Sequence, residues 1–497
     1  MTGAELFVHE LQQRGVTWVA TLCGHGLDPL YAACRQAGLR LVDSRNEQAA
    51  SYMGDACGRL TRRPGVVFSS SGVAHVNALT GLTNAYFDHA PLLLVSGAAA
   101  VSTMGQGHFQ DLDQVALAKP ISQYAALIDD PATISSHVAK AFASAARGPV
   151  HLTFPMDIQK AVASGQWPVA SDIQRADAPA PSLPPSSRPL LVAGSNVFYA
   201  NAGSSLVRFC ERSSVPVVVP IWDRGSIDHP IPHFMGVIGA ATGGPRLLDD
   251  ADLVLLCGAA PDYRLNYIDD PRVVRIEPQH LDSLNVPPTP AWLRECQRRR
   301  DEFRRQFEAS AVHSAPGLHS LDIIAALREV LTDDPVLLID GGSIGQWCHQ
   351  LLCDRYPGHW LTCGPSGAVG WGLPGAMAAR LCYPDRPVIL VSGDGAFTFT
   401  PAELECAARQ RLPFVALVAD DQAWGITQLG HKRQYGEAIS SNLGPIDFGL
   451  LAQSLGCHSL RVTEASRIAP EIRRAYDRDR PTVLHLPIPG GNEWSTA

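Results

Sequence analysis

Charge is scarce in this chain. Asp, Glu, Lys and Arg make up 18% of its 497 residues, where a soluble domain usually carries about 25%. The shortfall predicts extensive buried surface, subunit interfaces included. Basic residues are also in deficit, 40 against 48 acidic, for a net charge of −8. That excludes nucleic acid as the main partner. It leaves small anions open, because backbone amides and metal ions hold them without net positive charge. No apolar run reaches the roughly 18 residues of a membrane span. The opening stretch, MTGAELFVHELQQRG, carries acids where a signal peptide has its apolar core. The twelve cysteines form no CxxC pair, so neither a zinc site nor a disulfide framework is indicated. Most read as small buried apolar residues in a reduced cytoplasm. No GxGxxG fingerprint opens a helix, so a nicotinamide dehydrogenase has no support.

What is present is alternation. Short apolar runs alternate with helical patterns in three blocks, and two stretches read as linkers. Gly165 to Pro189 is rich in Pro, Ala and Ser, and proline there favours extended, irregular chain. Pro287 to Pro316 opens with PPTP and contains CQRRRDEFRRQFEAS, a surface helix with few core residues. The predicted domains are therefore 1–164, 188–290 and 317–490. The runs in the first block are Trp18–Leu22, Gly65–Ser69, Leu92–Val95 and Val150–Phe154. The central block has Leu190–Val192, Val215–Val219, Leu253–Cys257 and Val273–Ile276. The last has Val336–Ile339, Val388–Val391, Phe414–Val418 and Val483–Leu486. Unbroken apolar strands are covered on both faces. The expected fold class is α/β, with three doubly wound parallel-sheet domains.

The strongest local signal is PVILVSGDGAFTFTPAELECAARQRLPFVALVADDQAWG, from Pro387 to Gly425. The first strand ends in Gly393-Asp394-Gly395. Thr400, Pro401 and Glu403 then read as the cap, first position and capping-box partner of a helix. The next strand ends in Asp420-Asp421. One right-handed βαβ unit brings the two acidic turns together at the carboxyl edge of the sheet, where open α/β sheets bind ligands. Two carboxylates meeting there need a cation between them. Magnesium suits the place, since it takes one or two carboxylates together with ligand phosphates. Gly395 and Ala396 can offer amides to a phosphate.

GDG followed by such a turn resembles the cofactor signature of thiamine-diphosphate-dependent enzymes. The likeness is to the acetolactate synthase, benzaldehyde lyase and 2-hydroxyacyl-CoA lyase branch, and it covers nearly the whole chain. LTCGPSGAVGWGLPGAMAA (361–379) is similar to the Gly-rich segment before GDG, and DGGSIGQW (340–347) to the diphosphate-contacting segment. SRNEQAASYMGDACGR (44–59) is similar to the helix bearing the activating glutamate, and GHFQDLDQVALAKP (107–120) to the loop bearing an active-site glutamine.

The resemblance implies a pyrimidine-binding first domain, a nucleotide-binding-like middle domain and a diphosphate-binding last domain. It implies thiamine diphosphate and Mg2+ as cofactors. Asp394, Asp421 and the Ala423 carbonyl stand at the metal-ligand positions, with Asp421 where the family usually has asparagine. Gly342, Ser343, Val369, Gly393, Gly395 and Ala396 stand at cofactor-binding positions, and Val369 is smaller than the usual prop. Glu47, Gln110 and His25 stand at catalytic positions. Ser44 and Glu47 also fit a capping box, which is the purely structural alternative for that glutamate. His75 and His108 are weaker pocket candidates, and His431 and Lys432 are candidates for a lid. FAD in the middle block stays open and is not favoured. Family members share each site between subunits, which implies a homodimer or homotetramer. The implied activity makes or breaks a carbon–carbon bond next to a carbonyl, on 2-keto acids, acyloins or aldehydes. The alternatives are a 2-keto acid decarboxylase, disfavoured by the lack of a His-His pair, and a cofactor-binding homologue without turnover.

Overall fold

Apolar runs become buried parallel strands throughout. The computed structural model describes residues 1–162, 179–227, 229–239, 246–313, 315–352, 360–490 and 493–494. It forms two compact units: Met1–Ala176 with Met377–Pro384 and Glu405–Gln410, and the remainder. Most of the first predicted linker, 163–178, lies outside the described residues.

The first unit holds six strands: β1 (Trp18–Thr21), β2 (Arg40–Asp43), β3 (Gly65–Ser69), β4 (Leu92–Ala98), β5 (Tyr124–Leu127) and β6 (Val150–Pro155). They form one parallel sheet in the order β2-β1-β3-β4-β6-β5. On one face Phe7, Phe68 and Phe154 anchor the core, with the Phe7 and Phe154 rings 5.1 Å apart. On the other face lies the helix Glu47–Thr61. It sits close because it carries glycine: a Cβ at Gly58 would fall 1.9 Å from the Pro91 carbonyl oxygen. That close seat fixes where its first residue, Glu47, emerges.

The second unit holds two larger sheets. The central one has β7 (Pro189–Ala193), β8 (Val217–Pro220), β9 (Phe234–Ile238), β10 (Leu253–Cys257) and β11 (Val273–Ile276), in the order β11-β10-β7-β8-β9. After it, β12 (Ala311–Val312) pairs antiparallel with β19 (Glu493–Trp494). The last sheet has β13 (Val336–Asp340), β14 (Trp360–Thr362), β15 (Val388–Gly393), β16 (Val415–Asp420), β17 (His458–Arg461) and β18 (Thr482–Pro487), in the order β14-β13-β15-β16-β18-β17. One continuous apolar cluster serves both larger sheets. The charged segment is a helix, Pro290–Ala309, burying Trp292 and Cys296. All three larger sheets are parallel, as the apolar runs predict.

In the three larger sheets the strands that the apolar pattern misses are β2, β5, β9, β14 and β17, and each lies at a sheet edge; the short β12 and β19 are missed as well. Three of them, β2, β5 and β17, are only half-buried, so they carry mixed sequences without a long apolar run. The helix expected from Pro401 starts later, at Glu403. The Thr400 hydroxyl donates to the Gly370 carbonyl at 2.8 Å.

Candidate active site

In the second unit, β15 and β16 run side by side with Gly393 opposite Ala419. The acidic turns that follow them therefore meet. Asp394, 4% exposed, opens a short helical turn, Asp394–Phe397. Burial, then the neighbouring Asp421 and Asp420 charges, push its carboxyl up to about 8. Asp421 accepts from the Ala423 amide at 3.2 Å. Asp420 turns away from this pair and binds His485 of β18 at 2.8 Å, which pins the strand end. The next turn is stiff: the Trp424 amide donates to Ser441, and the Leu443 amide to the Gln422 carbonyl. Phe399 meets the Trp424 ring edge-on at 5.9 Å.

A second wall comes from β13. Gly341 and Gly342 both take positive φ, 62° and 71°, which glycine adopts at little cost. They lead into the helix Gly342–Leu351, whose first turn carries Ser343. Ser343 and Asp421 converge: a Cβ at Gly425 would lie 2.4 Å from the Ser343 hydroxyl and 2.7 Å from Asp421 Oδ2. A Cβ at Gly341 would lie 3.1 Å from Ala396 and 3.4 Å from Val369. Gly342, Ser343, Val369, Gly393, Gly395, Ala396, Asp394, Asp421 and Ala423 thus share one end of one sheet. A cavity of about 150 Å³ beside them is lined by Gly341, Gly342, Gln346, His349, Val369 and Ile426, among others.

The residues fit a divalent cation and a diphosphate. Two carboxylates in contact raise each other's cost of ionisation, and a cation between them removes that cost. Carboxylate and carbonyl oxygens are hard ligands of the kind Mg2+ takes. Among the described residues no group of three His, Cys, Asp or Glu side chains makes a complete metal cage. The amides around Gly342–Ser343 and Gly395–Ala396 form concave donor sites at helix starts, suited to phosphate oxygens.

In the first unit the carboxyl ends of β1 to β4 carry the other candidates. Glu47 is the first residue of its helix. The cap is Asn46, whose side chain accepts from the Gln48 amide. The Ser44 hydroxyl instead donates to Thr21 and Asn46 carbonyls, so the capping box is not formed and Glu47 is released from that duty. Glu47 Oε2 accepts from Asn77 Nδ2 at 3.0 Å. Within this chain Glu47 is half-buried.

His25 and Gln110 come together on this rim. The His25 ring stacks on His108 at 6.0 Å and meets Phe109 edge-on at 5.8 Å. Its carbonyl accepts from Ser70, while the Ser71 hydroxyl donates to Gln110 at 3.0 Å. Gln110 has a positive φ of 59°.

Other candidates fall elsewhere. His75 is fully buried and does not line the rim. Its Nδ1 lies 2.8 Å from Ser96 Oγ, which also meets His151 Nε2 at 3.2 Å. His431 and Lys432 lie in a regular helix, Gly425–Tyr435, which buries no residue, and Lys432 pairs with Glu493 at 3.3 Å.

The sequence reading missed two structural supports. Gln114 is buried and bridges the Gly72 amide and the Gly97 carbonyl, so it staples the Gln110 loop to β4. The DQ pair in DQVA was its only signal. Asp340 is 1% exposed, accepts from the Gly372 amide at 2.8 Å and is pushed by burial up to about 7. It holds the Gly-rich segment that presents Val369. A lone acid ending an apolar strand was its signal.

Three family models match the chain. The thiamine pyrophosphate enzyme N-terminal TPP binding domain matches residues 1–117, the central domain 179–288, and the C-terminal TPP binding domain 340–486. The chain belongs to the thiamine pyrophosphate (thiamine diphosphate) enzyme family. Among curated relatives, the acetolactate synthase large subunit of Mycobacterium tuberculosis is 26% identical, over 98% of this chain and 95% of its own length. The acetolactate synthase of Bacillus subtilis is 27% identical over 98% and 93%. The 2-hydroxyacyl-CoA lyase 2 of Homo sapiens is 27% identical over 92% and 84%.

Proposed function

We propose that this protein is a thiamine-diphosphate- and Mg2+-dependent enzyme that makes or breaks a carbon–carbon bond next to a carbonyl, on 2-keto acid, acyloin or aldehyde substrates. The observation that carries it is the meeting of Asp394 and Asp421 beside the Ser343 helix start, in a chain matched by the family's three domains. The functional blocks are 1–164, 188–290 and 317–490. When bound, the cofactor supplies a nucleophilic thiazolium carbon for attack on a carbonyl. Asp394, Asp421 and the Ala423 carbonyl hold the metal. Amides near Ser343, Gly395 and Ala396 bind diphosphate oxygens. Val369 would offer an apolar contact to the bound cofactor. Glu47 would offer its carboxyl to the aminopyrimidine ring as a hydrogen-bonding acid–base group. His25 and Gln110 orient the substrate carbonyl.

At the central turn after β7, the Ser195 amide donates to the Asp223 carboxylate at 3.0 Å, and Asp223 pairs with Arg264. The reading keeps FAD in the central domain possible but not favoured. Among the described residues no helix is long and apolar enough to cross a membrane. The reading includes a cytoplasmic homodimer or homotetramer whose sites draw on two subunits.

A turnover screen tests this. The magnesium-loaded protein is given pyruvate with aldehyde acceptors, and separately acyloin and 2-hydroxyacyl donors. A new or cleaved carbon–carbon bond is expected in at least one arm. Cofactor binding with no turnover in any arm would instead mark a binding homologue.

A further inference from the structure

The first unit contains a second cavity of about 420 Å³, built at the opposite, amino-terminal edge of its sheet. Its lining includes Arg14, Arg62, Arg63, Thr61, Cys57 and Cys382. Cys57 sits near the end of the helix that Glu47 opens, and Cys382 is the last residue of the helix Gly372–Cys382. Both thiols line this one cavity, and Cys57 Sγ lies 4.0 Å from the Thr61 hydroxyl. Both are half-buried, so the cavity gives access to them.

This pair differs from the other cysteines. Burial pushes the thiols of Cys34, Cys257, Cys296 and Cys457 up to about 12. Cys57 goes the other way. The neighbouring Cys382 thiol lowers it most, and the Thr61 hydroxyl and the Arg63 charge assist. A thiolate is the attacking form in thiol–disulfide exchange. Arg14, which also lies 5.5 Å from the Phe142 ring centroid, and Arg62 and Arg63 give the cavity cationic walls.

We propose that Cys57 and Cys382 form a reversible dithiol–disulfide site, oxidised by a small anionic disulfide of the glutathione type that enters the arginine-lined cavity. The Cys57 thiolate attacks one sulfur of the small disulfide, forming a mixed disulfide and expelling one small thiolate. Cys382 then attacks the Cys57 sulfur. The protein disulfide forms and a second small thiolate leaves. The two protons lost by the protein thiols go to the two released thiolates. The protein gives up two electrons and the small disulfide takes them. The product ties Cys57 of the Glu47–Thr61 helix to Cys382 within the first unit. The site is independent of the cofactor.

The test uses the full-length protein, without added cofactor, in anaerobic buffers spanning reduced to oxidised glutathione. After acid quench, free thiols are alkylated and tryptic peptides mapped. A Cys57–Cys382 cross-linked pair is expected to accumulate on oxidation and to disappear in excess reduced glutathione, with Cys34, Cys257 and Cys296 alkylated throughout. In Cys382→Ser, glutathione should be trapped on Cys57. In Arg63→Gln, oxidation by glutathione disulfide should slow about tenfold, while oxidation by an uncharged small disulfide keeps its rate. The proposal is overturned if both thiols of the unsubstituted protein stay alkylatable in oxidising buffer. A glutathione adduct that never resolves onto Cys382 in that protein overturns it equally. The decisive readings come from the unsubstituted chain, so a variant that fails to fold does not rescue the proposal.

Discussion

At the residue scale, Asp421 stands, on the resemblance, at the position where an asparagine metal ligand is expected. A carboxylate there brings a second full charge to Asp394, which is already held up to about 8. A cation is favoured and an empty pair is penalised. Asp421→Asn is expected to weaken metal retention while leaving the fold intact, so the magnesium concentration for half-maximal cofactor binding rises. An unchanged requirement, read by titration, would show that the extra charge does not hold the ion. Glu47 has a different duty. Its carboxyl is tied only to Asn77 among the contacts above, and the helix cap is made by Asn46. Glu47→Gln should preserve the melting temperature and lower turnover by about 100-fold or more, the usual weight of a positioned acid–base group. Full turnover in that variant would remove Glu47 from the chemistry.

At the element scale, the loop bearing Gln110 rests on a buried polar layer. Gln114 staples it to β4, and the His75–Ser96–His151 chain lies within the same sheet and helix. Burial holds His75 down to about 4 and His151 well below its ordinary value, with the His75 charge adding to the effect on His151. Both rings are neutral in the fold, whereas the unfolded chain protonates them below about 6.5. The unfolded state therefore binds more protons in that window, and stability falls as pH drops from about 6.5 toward 4. Thermal melts from about pH 7 to about pH 5 should show this loss in the native chain and a smaller loss in His75→Asn. Equal losses would mean that His75 does not contribute.

The same elements show what the sequence reveals and what it hides. Central strands such as β3, β4, β15 and β16 are buried on both faces, so they read directly as apolar runs. The meeting of Asp394 with Asp421 follows from strand order alone. The edge strands β2, β5 and β17 are only half-buried, and their mixed sequences resemble loops. His75 looked like a rim residue because it follows β3 closely. The first turn of the helix Val73–Asp88 instead points it inward onto Ser96, and no single-residue pattern announces that. Asp340 and Gln114 left only faint signals, because their partners are backbone amides and carbonyls that the sequence does not mark.

At the scale of the whole molecule, each site is read as drawing its pyrimidine-side acid and its metal site from different subunits. Glu47→Gln and Asp394→Ala should then each be inactive alone. Co-expressed with separate tags and purified as hybrids, they should regain part of native turnover, because one intact site is rebuilt for each spoiled one. Hybrids as inactive as the parents would show that both residues serve within a single chain.

The most direct measurement is calorimetric titration of thiamine diphosphate into the native protein with magnesium, with chelator in its place, and into Asp394→Ala with magnesium. Two acids at neighbouring strand ends gripping one ion, and through it the diphosphate, predict saturable binding in the first titration only. Binding of equal strength in the chelator titration, or in the variant, would contradict the account.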